Sequence, residues 1–497
     1  MKIHLGRRHW RLGMTLLATG ALTCLGLAAA PTAMAATTGP CDIYANAGTP
    51  CVAAHSTTRA LFGAYNGSLY QVKRWSDGAT ANIGVLTAGG YANAATQDSF
   101  CAGTSCTITE IYDQTSHHNN LTIEGAGGNG GADAGANAAA LPITAGGHKV
   151  YGVYISAGVG YRDNATSGVA TGSAPEGEYM VASGTHFNNR CCMDYGNAET
   201  STDDTGNGHM DAINFGSEVW FTPSFGSGPW VQADLENGLF AGGNGSYSGN
   251  TGRSGANFIT AMLKNNGTTT YAIKDANAAS GTLATRYSGA LPTTSGYAPM
   301  HKEGAIVLGT GGDDSNGSVG SFFEGIMTSG YPSDATDNLI QANIVAAGYS
   351  TSTTFPVSGS TYTLTNVSSG KALDATGCGT ANGTVVEQWT PLGNNCQKWT
   401  FTAAANNTFT IKNVNSGTVL DAVNCGLGDG TTTDLWSSLG NLCQQWAVIP
   451  DGNGSYEVVP QNSGMVLDDT NCSAANGSKA DLWQWLNNTC QEWKFTS

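Results

Sequence analysis

"GKALDATGCGTANGTVVEQWTPLGNNCQKW", residues 370–399, is followed by two near copies, "GTVLDAVNCGLGDGTTTDLWSSLGNLCQQW" at 417–446 and "GMVLDDTNCSAANGSKADLWQWLNNTCQEW" at 464–493. Every landmark recurs at 47 residues: Asp374, Asp421 and Asp468; Trp389, Trp436 and Trp483; Gln397, Gln444 and Gln491. Residues 357–497 therefore divide into three units of 47. Each unit alternates short apolar runs with Gly/Asn turns and is too small to bury a core alone. Three of them predict three equivalent β lobes around one shared core.

The repeats also sort the cysteines. Cys378/Cys396, Cys425/Cys443 and Cys472/Cys490 are each eighteen apart, Cys41 and Cys51 ten apart, Cys101 and Cys106 five apart. One of the thirteen cysteines, Cys24, lies in an N-terminal stretch that reads as an export signal. That stretch has basic Lys2, Arg7, Arg8 and Arg11, an apolar run, and Ala33-Met34-Ala35 as a small-x-small cleavage site. "RRHW" at 7–10 fits a twin-arginine signal and an ordinary basic start equally well. An even twelve cysteines in an exported chain predict six disulfides. The local pairings leave "RCC" at 190–192 with Cys191 and Cys192 bonded to each other; the competing pattern is two bridges to distant cysteines. Neighbouring Cα atoms lie about 3.8 Å apart, closer than disulfides prefer, and strain of that kind marks ligand sites. The bond would present a rigid apolar plate. No Cys/His spacing suits a metal, so neither metal nor cofactor is expected.

Removing the four basic residues leaves 16 Lys and Arg against 36 Asp and Glu, a net charge of −20. Such a surface repels nucleic acid and anionic membranes. No stretch after the signal reaches the roughly 20 apolar residues of a membrane span. Only 11% of residues are charged, while Gly, Asn, Ser and Thr abound, which favours short strands over helices. A secreted, monomeric protein with an uncharged partner, a sugar polymer, follows. The domains expected are a signal at 1–35, a β-sandwich at 36–349, a short flexible linker at 350–356 and the repeats at 357–497.

Upstream of the repeats, strand-like runs such as "AIVLG", "HKVYGVYIS" and "EGEYMVASG" dominate, and "DATDNLIQANIVAAGY" carries the one helical period. An all-β sandwich is expected. In "PWVQADLENGLF" at 229–240, strand alternation places Val231, Ala233 and Leu235 toward a core and Trp230, Gln232, Asp234 and Glu236 on the other face. Two carboxylates, an amide and an indole on one face form a sugar pocket; the alternative is a solvent-facing edge. In "GAIVLGTGGDDSNGS" a strand ends at a Gly pair followed by Asp313 and Asp314. A calcium loop running from Asp313 through Ser315 to Glu324 is discounted, because Ser318 stands where such a loop needs Gly. "STDDTGNGHMD" at 201–211 and His117-His118 read as turns.

Two resemblances accompany these readings. The triads "QKW", "QQW" and "QEW" resemble the Q-x-W of ricin-type lectins, which are β-trefoils. That resemblance implies that Trp399, Trp446 and Trp493 are core. It implies that Asp374, Asp421 and Asp468 accept hydrogen bonds from sugar hydroxyls while Trp389, Trp436 and Trp483 stack on the ring, with Gln397, Gln444 and Gln491 completing the sites. The family's Asn before the triad is replaced here by Cys396, Cys443 and Cys490, for which Asn394, Asn441 and Asn488 are candidate substitutes.

"GPCDIYANAGTPCVAAHSTTRALFGAYNGSLYQVKR", "RCCMDYGNAET", "GPWVQADLENGLF" and "GGDDSNGSVGSFFEGIMTSGYPSDATDNLIQANIVAAGY" resemble the catalytic domain of glycoside hydrolase family 54 across 39–349. The family's fold and activity imply a β-sandwich retaining α-L-arabinofuranosidase acting on arabinoxylan or arabinan. Glu236 is then the nucleophile and Asp313 the general acid/base. The Cys191–Cys192 disulfide, Trp220, Asp234, Asn237 and the Gly312 backbone contact the sugar. Two departures stand out: "FTPSFGSGPW" is one residue longer than expected after Trp220, and Asp314 replaces Asn. β-Xylosidase activity and a non-catalytic two-site lectin are the alternatives. Familiar fungal members carry a different, arabinose-binding trefoil.

Overall fold

The computed structural model describes residues 38–497, apart from 222–225, 352–354, 406–407 and 452–453. The expected signal at 1–35 lies outside the described residues. Residues 51–330 build two antiparallel sheets. One has strands in the order Cys51–Ser56, Gly320–Ser329, Glu176–Ser183, Phe258–Asn265, Thr270–Asn277 and Ala284–Ala290. The other has ten strands, running from Leu239–Phe240 through Trp230–Asp234, Asp211–Gly216, Asp194–Ala198 and Ala305–Leu308 to Tyr161–Asp163 and beyond. Large side chains fill the space between them: Tyr195 of the second sheet meets Phe322 of the first with ring centroids 5.3 Å apart. Sheet faces covered on both sides explain why strands such as Glu176–Ser183 are buried at every position.

The helical period at 334–349 forms the helix Asp334–Ala346, capped by the Ser333 side chain, which accepts from the Thr336 amide. It covers the outer face of the first sheet. Lys264 and Lys274, on adjacent strands, both donate to Asp334 and Asp337 in its first turn. Acids at a helix N-terminus suit the dipole, and here they also neutralise two buried ammonium groups. Two short helices, Pro40–Asn46 and Ala94–Phe100, lack a legible period in the sequence. The six disulfides are Cys41–Cys51, Cys101–Cys106, Cys191–Cys192, Cys378–Cys396, Cys425–Cys443 and Cys472–Cys490.

The repeats form a threefold β-trefoil. Trp399, Trp446 and Trp493 are fully buried. Each indole N–H donates to a leucine carbonyl 26 residues earlier, Leu373, Leu420 and Leu467, at 3.0, 3.0 and 2.9 Å. One buried donor is thereby satisfied identically in each lobe.

The stretch read as a flexible linker is fastened at both ends. Ser350–Thr351 pairs with the strand Pro142–Ala145 of the sandwich domain. Phe355 packs among Tyr362, Tyr456 and Phe495 of the trefoil. The domains are also packed together directly. Ala140 and Tyr154 form one apolar cluster with Ile449, Val459, Val466 and Trp485. Asn487 Nδ2 donates to Thr107 Oγ1 at 2.6 Å, and Asn137 donates to the buried Glu457. Gly464 fits against Val319 so closely that a Cβ there would lie 2.2 Å from it.

Candidate active site

The strand Trp230–Asp234 pairs with Asp211–Gly216 on one side and with Leu239–Phe240 on the other. Between its halves the chain turns through Glu236 at φ 66° and Asn237 at φ 55°. These two left-handed residues lie in the four-residue loop 235–238 that joins the paired strands. This corrects the strand reading. Alternation stops at Asp234, and Glu236 stands on the turn, not on a continuous strand face. Asp234 Oδ1 accepts from the Glu236 amide at 3.1 Å, and Tyr297 donates its hydroxyl to the Glu236 carbonyl at 2.7 Å. Val231, Ala233 and Leu235 lie in the sandwich core as expected.

Asp313 sits on the turn that follows the strand Ala305–Leu308. Its Oδ1 accepts from the Ser315 amide at 3.0 Å, and its Oδ2 accepts from Asn129 Nδ2 at 3.1 Å. The Cys192 amide donates to the Ser315 carbonyl at 2.9 Å, which ties the disulfide to the same turn. A Cβ placed on Gly311 would lie 3.3 Å from Asp313 Oδ1 and 3.4 Å from Cys192 Sγ. Cys192 Sγ in turn lies 3.8 Å from Asp234 Oδ2. The charge of Asp313 is felt by Asp234, and that of Asp234 by Glu236. The three carboxylates expected at a sugar pocket thus share one neighbourhood, walled by the Cys191–Cys192 plate.

Three acids that no spacing had singled out, Glu199, Asp204 and Asp194, join them. Glu199, Asp204 and Glu236 each bring a carboxylate oxygen within 4.8 Å of the others. Burial first, then neighbouring negative charge including that of Asp234, raises Glu236; burial likewise raises Glu199, its hydrogen-bonded partner. Each of the two carboxyls therefore keeps its proton to higher pH than a free acid. Asp194, fully buried, is also raised by burial and hydrogen-bonds Asp234, whose own carboxyl burial pushes up to about 7. Gly312 packs on Glu199: a Cβ there would lie 2.0 Å from Glu199 Oε2. Asn237 Nδ2 donates to Asp204 Oδ1 at 3.2 Å. Trp220, half exposed, donates to Glu218 at 3.1 Å; the longer segment that follows it falls partly on residues outside those described.

Asp314, where the resemblance led to an expectation of Asn, has φ 67°, a backbone region that Asn and Asp both tolerate. Its side chain turns away from the Asp313–Asn129 pair and is wholly buried, with Oδ2 accepting from the Gly127 amide at 2.8 Å. The segment considered as a calcium loop does not close, because Glu324 lies on the other sheet, paired with Arg59 at 2.5 Å.

In the trefoil, Trp389, Trp436 and Trp483 are the partly exposed tryptophans. Directly across the strand pair from Asp374, Asp421 and Asp468 stand Glu387, Asp434 and Asp481. Gln397, Gln444 and Gln491 are buried. Each accepts from the backbone amide five residues earlier (Leu392, Leu439, Leu486) and donates to the carbonyl seven residues earlier. Gln397 also donates to Asp374 at 2.9 Å. These amides brace the loop and orient the aspartate instead of facing solvent. Asn394 and Asn488 accept from the amides of Cys396 and Cys490, so they too serve the loop.

Residues 40–350 match the family described as "Alpha-L-arabinofuranosidase B, catalytic", and 352–436 with 442–497 match "Ricin-type beta-trefoil lectin domain-like". A probable α-L-arabinofuranosidase B of Aspergillus terreus is 59% identical over 333 residues, 66% of this chain and 65% of that protein. The chain therefore covers just under two-thirds of that relative's length. A Trichoderma koningii protein named "Arabinofuranosidase/B-xylosidase" is 57% identical over 67% of each chain. Among solved structures, an arabinofuranosidase complexed with arabinofuranosyl-alpha-1,2-xylobiose superimposes with TM-score 0.79 and 38% identity, covering 93% of this chain and 99% of that one. A mutant of a glycoside hydrolase family 54 α-L-arabinofuranosidase soaked with 4-nitrophenyl α-L-arabinofuranoside matches equally well. The sandwich carrying Glu236 and Asp313 places this chain in the α-L-arabinofuranosidase B catalytic family, glycoside hydrolase family 54, with a ricin-type β-trefoil domain joined to it.

Proposed function

We propose that the protein is a secreted, retaining α-L-arabinofuranosidase that removes terminal arabinofuranosyl groups from plant cell-wall polysaccharide such as arabinoxylan or arabinan. The observation that carries the reading is the meeting of Glu236, Asp234 and Asp313 at the Cys191–Cys192 plate. Retention calls for two carboxyls about 5–5.5 Å apart. Asp313 protonates the glycosidic oxygen while Glu236 attacks the anomeric carbon. Water then cleaves the glycosyl-enzyme with Asp313 as base. The disulfide bounds the apolar side of the furanose and, being rigid, loses little entropy on binding. Asp374, Asp421 and Asp468 with Trp389, Trp436 and Trp483 hold the enzyme on polymer and raise its local concentration.

Turnover of 4-nitrophenyl α-L-arabinofuranoside, with the anomeric configuration of the first product followed by NMR, tests the proposal. An α-configured first product and loss of turnover in Glu236→Gln are expected; inversion, or near-full activity in that variant, refutes it. The dual name of the Trichoderma koningii relative favours a second reading, β-xylosidase activity in the same pocket. Rates on matched aryl arabinofuranoside and xylopyranoside rank the two.

A further inference from the structure

Directly behind the turn that bears Asp313 lies a second group of acids. Glu124, Asp133 and Asp314 each bring a carboxylate oxygen within 4.8 Å of the others. Glu124 and Asp314 are 2% and 0% exposed. Each of the three keeps one oxygen without any hydrogen-bond donor: Glu124 Oε2, Asp133 Oδ2 and Asp314 Oδ1. Their other oxygens are satisfied, by Arg162 Nη1 at 2.9 Å, Asn316 Nδ2 at 2.6 Å and the Gly127 amide at 2.8 Å. Arg162 is the cation in contact, and three of its other four N–H donors go to the Gly312 and Glu199 carbonyls and to Asn164. When all three are ionised, these carboxylates, two buried and Asp133 half-buried, carry two negative charges beyond the one guanidinium, and burial accordingly pushes Glu124 up to about 7 and Asp133 up to about 8. An unmatched buried carboxylate oxygen is costly, and three such oxygens facing one another are costlier still.

We propose that Glu124, Asp133 and Asp314 bind a calcium ion through these three orphan oxygens. A divalent cation balances the two excess charges. The donors are all carboxylate oxygen, with no imidazole or thiolate in the group, which selects a hard cation over zinc or copper. Calcium accepts irregular oxygen sets more readily than magnesium, which demands near-octahedral geometry. The ion joins three segments distant in sequence: the end of the strand Leu121–Ile123, the loop carrying Asp133, and the turn 311–315. The first two are bridged by the glycine-rich "GAGGNGG" at 125–131, whose Asn129 reaches Asp313. The site is separate from the sugar pocket, so the proposal stands or falls independently of the substrate.

The test uses the whole chain, stripped with EGTA and titrated with calcium chloride by calorimetry, with Tm followed in parallel. One calcium should bind per site, with a Tm rise of a few degrees at saturating calcium. Asp133→Asn and Asp314→Asn should each reduce the stoichiometry by one ion. Absence of calcium binding by the native chain, or an unchanged Tm, overturns the proposal whether or not the variants fold. Unchanged stoichiometry in both variants overturns it too, because the ion then sits elsewhere. Tighter binding of zinc than of calcium in a parallel titration contradicts the oxygen-only site.

Discussion

Glu236 owes its position to left-handed backbone at two successive residues, and the signal for that was on the page as "ENG". Strand periodicity reached Asp234 and failed at the next acid, because a turn residue has no face to alternate onto. Glu199, Asp194 and Asp204 were not legible at all. They come from other strands and loops, no fixed spacing ties them to Glu236, and only the fold reveals that they gather around the same turn. Glu236→Gln should lower kcat at least about a thousandfold on an aryl arabinofuranoside, the loss that the proposed nucleophile role requires. Asp313→Asn should cost about 10²–10⁴, less where the leaving group needs no proton. Replacing both Cys191 and Cys192 with Ser removes the rigid wall beside Asp234. The expected result is a higher KM with a smaller change in kcat, measured by steady-state kinetics on the same substrate.

At the scale of elements, the long helix was readable from its period and its Ser333 cap, whereas the role of its first turn was not. Lys264 and Lys274 lie on strands whose sequences give no hint that both will meet Asp337. Asp337 is 3% exposed and the lysine side chains 7% and 6%. Removing the carboxylate leaves the exposed Asp334 as the one acid partner of two buried ammonium groups, and Asp337→Ala should destabilise the fold by roughly 3 kcal/mol in urea unfolding. The trefoil shows the opposite case. Its strands and its disulfides followed from the 47-residue register, because repetition constrains every lobe at once, and its core tryptophans from the Q-x-W resemblance. The glutamines of the triads looked like sugar ligands by resemblance, yet their amides are consumed by the loop backbone.

Across the whole molecule, the sandwich and trefoil fold classes were legible in the sequence, but the contacts at their junction were not. Contact between Tyr154 and Trp485, or Gly464 and Val319, has no local pattern to announce it. Buried acids also give the molecule a pH signature. Burial, before any neighbouring charge, pushes Glu457 at the junction up to about 8, Asp468 up to about 7 and Asp434 up to about 6. Unfolded acids titrate near 4, so between about pH 4 and 8 the folded form holds more protons than the unfolded one. The contribution of these groups is complete below about pH 4 and is lost as pH passes each folded value. Two acids act in the other direction: hydrogen bonding holds Glu303 down to about 2 despite burial, and its lysine partners hold Asp334 there too. Thermal unfolding should therefore be hardest at about pH 4–5, with Tm declining toward pH 8 in scanning calorimetry.

The seating of Gly464 against Val319 carries a consequence for truncation. A hydrolase cut back to its first 351 residues would bare a greasy scar of Ala140, Tyr154 and Val319 where the last lobe had rested. Such an excised fragment should clump in concentrated solution, and deletion of the trefoil would then remove solubility along with the polymer adhesion proposed for it.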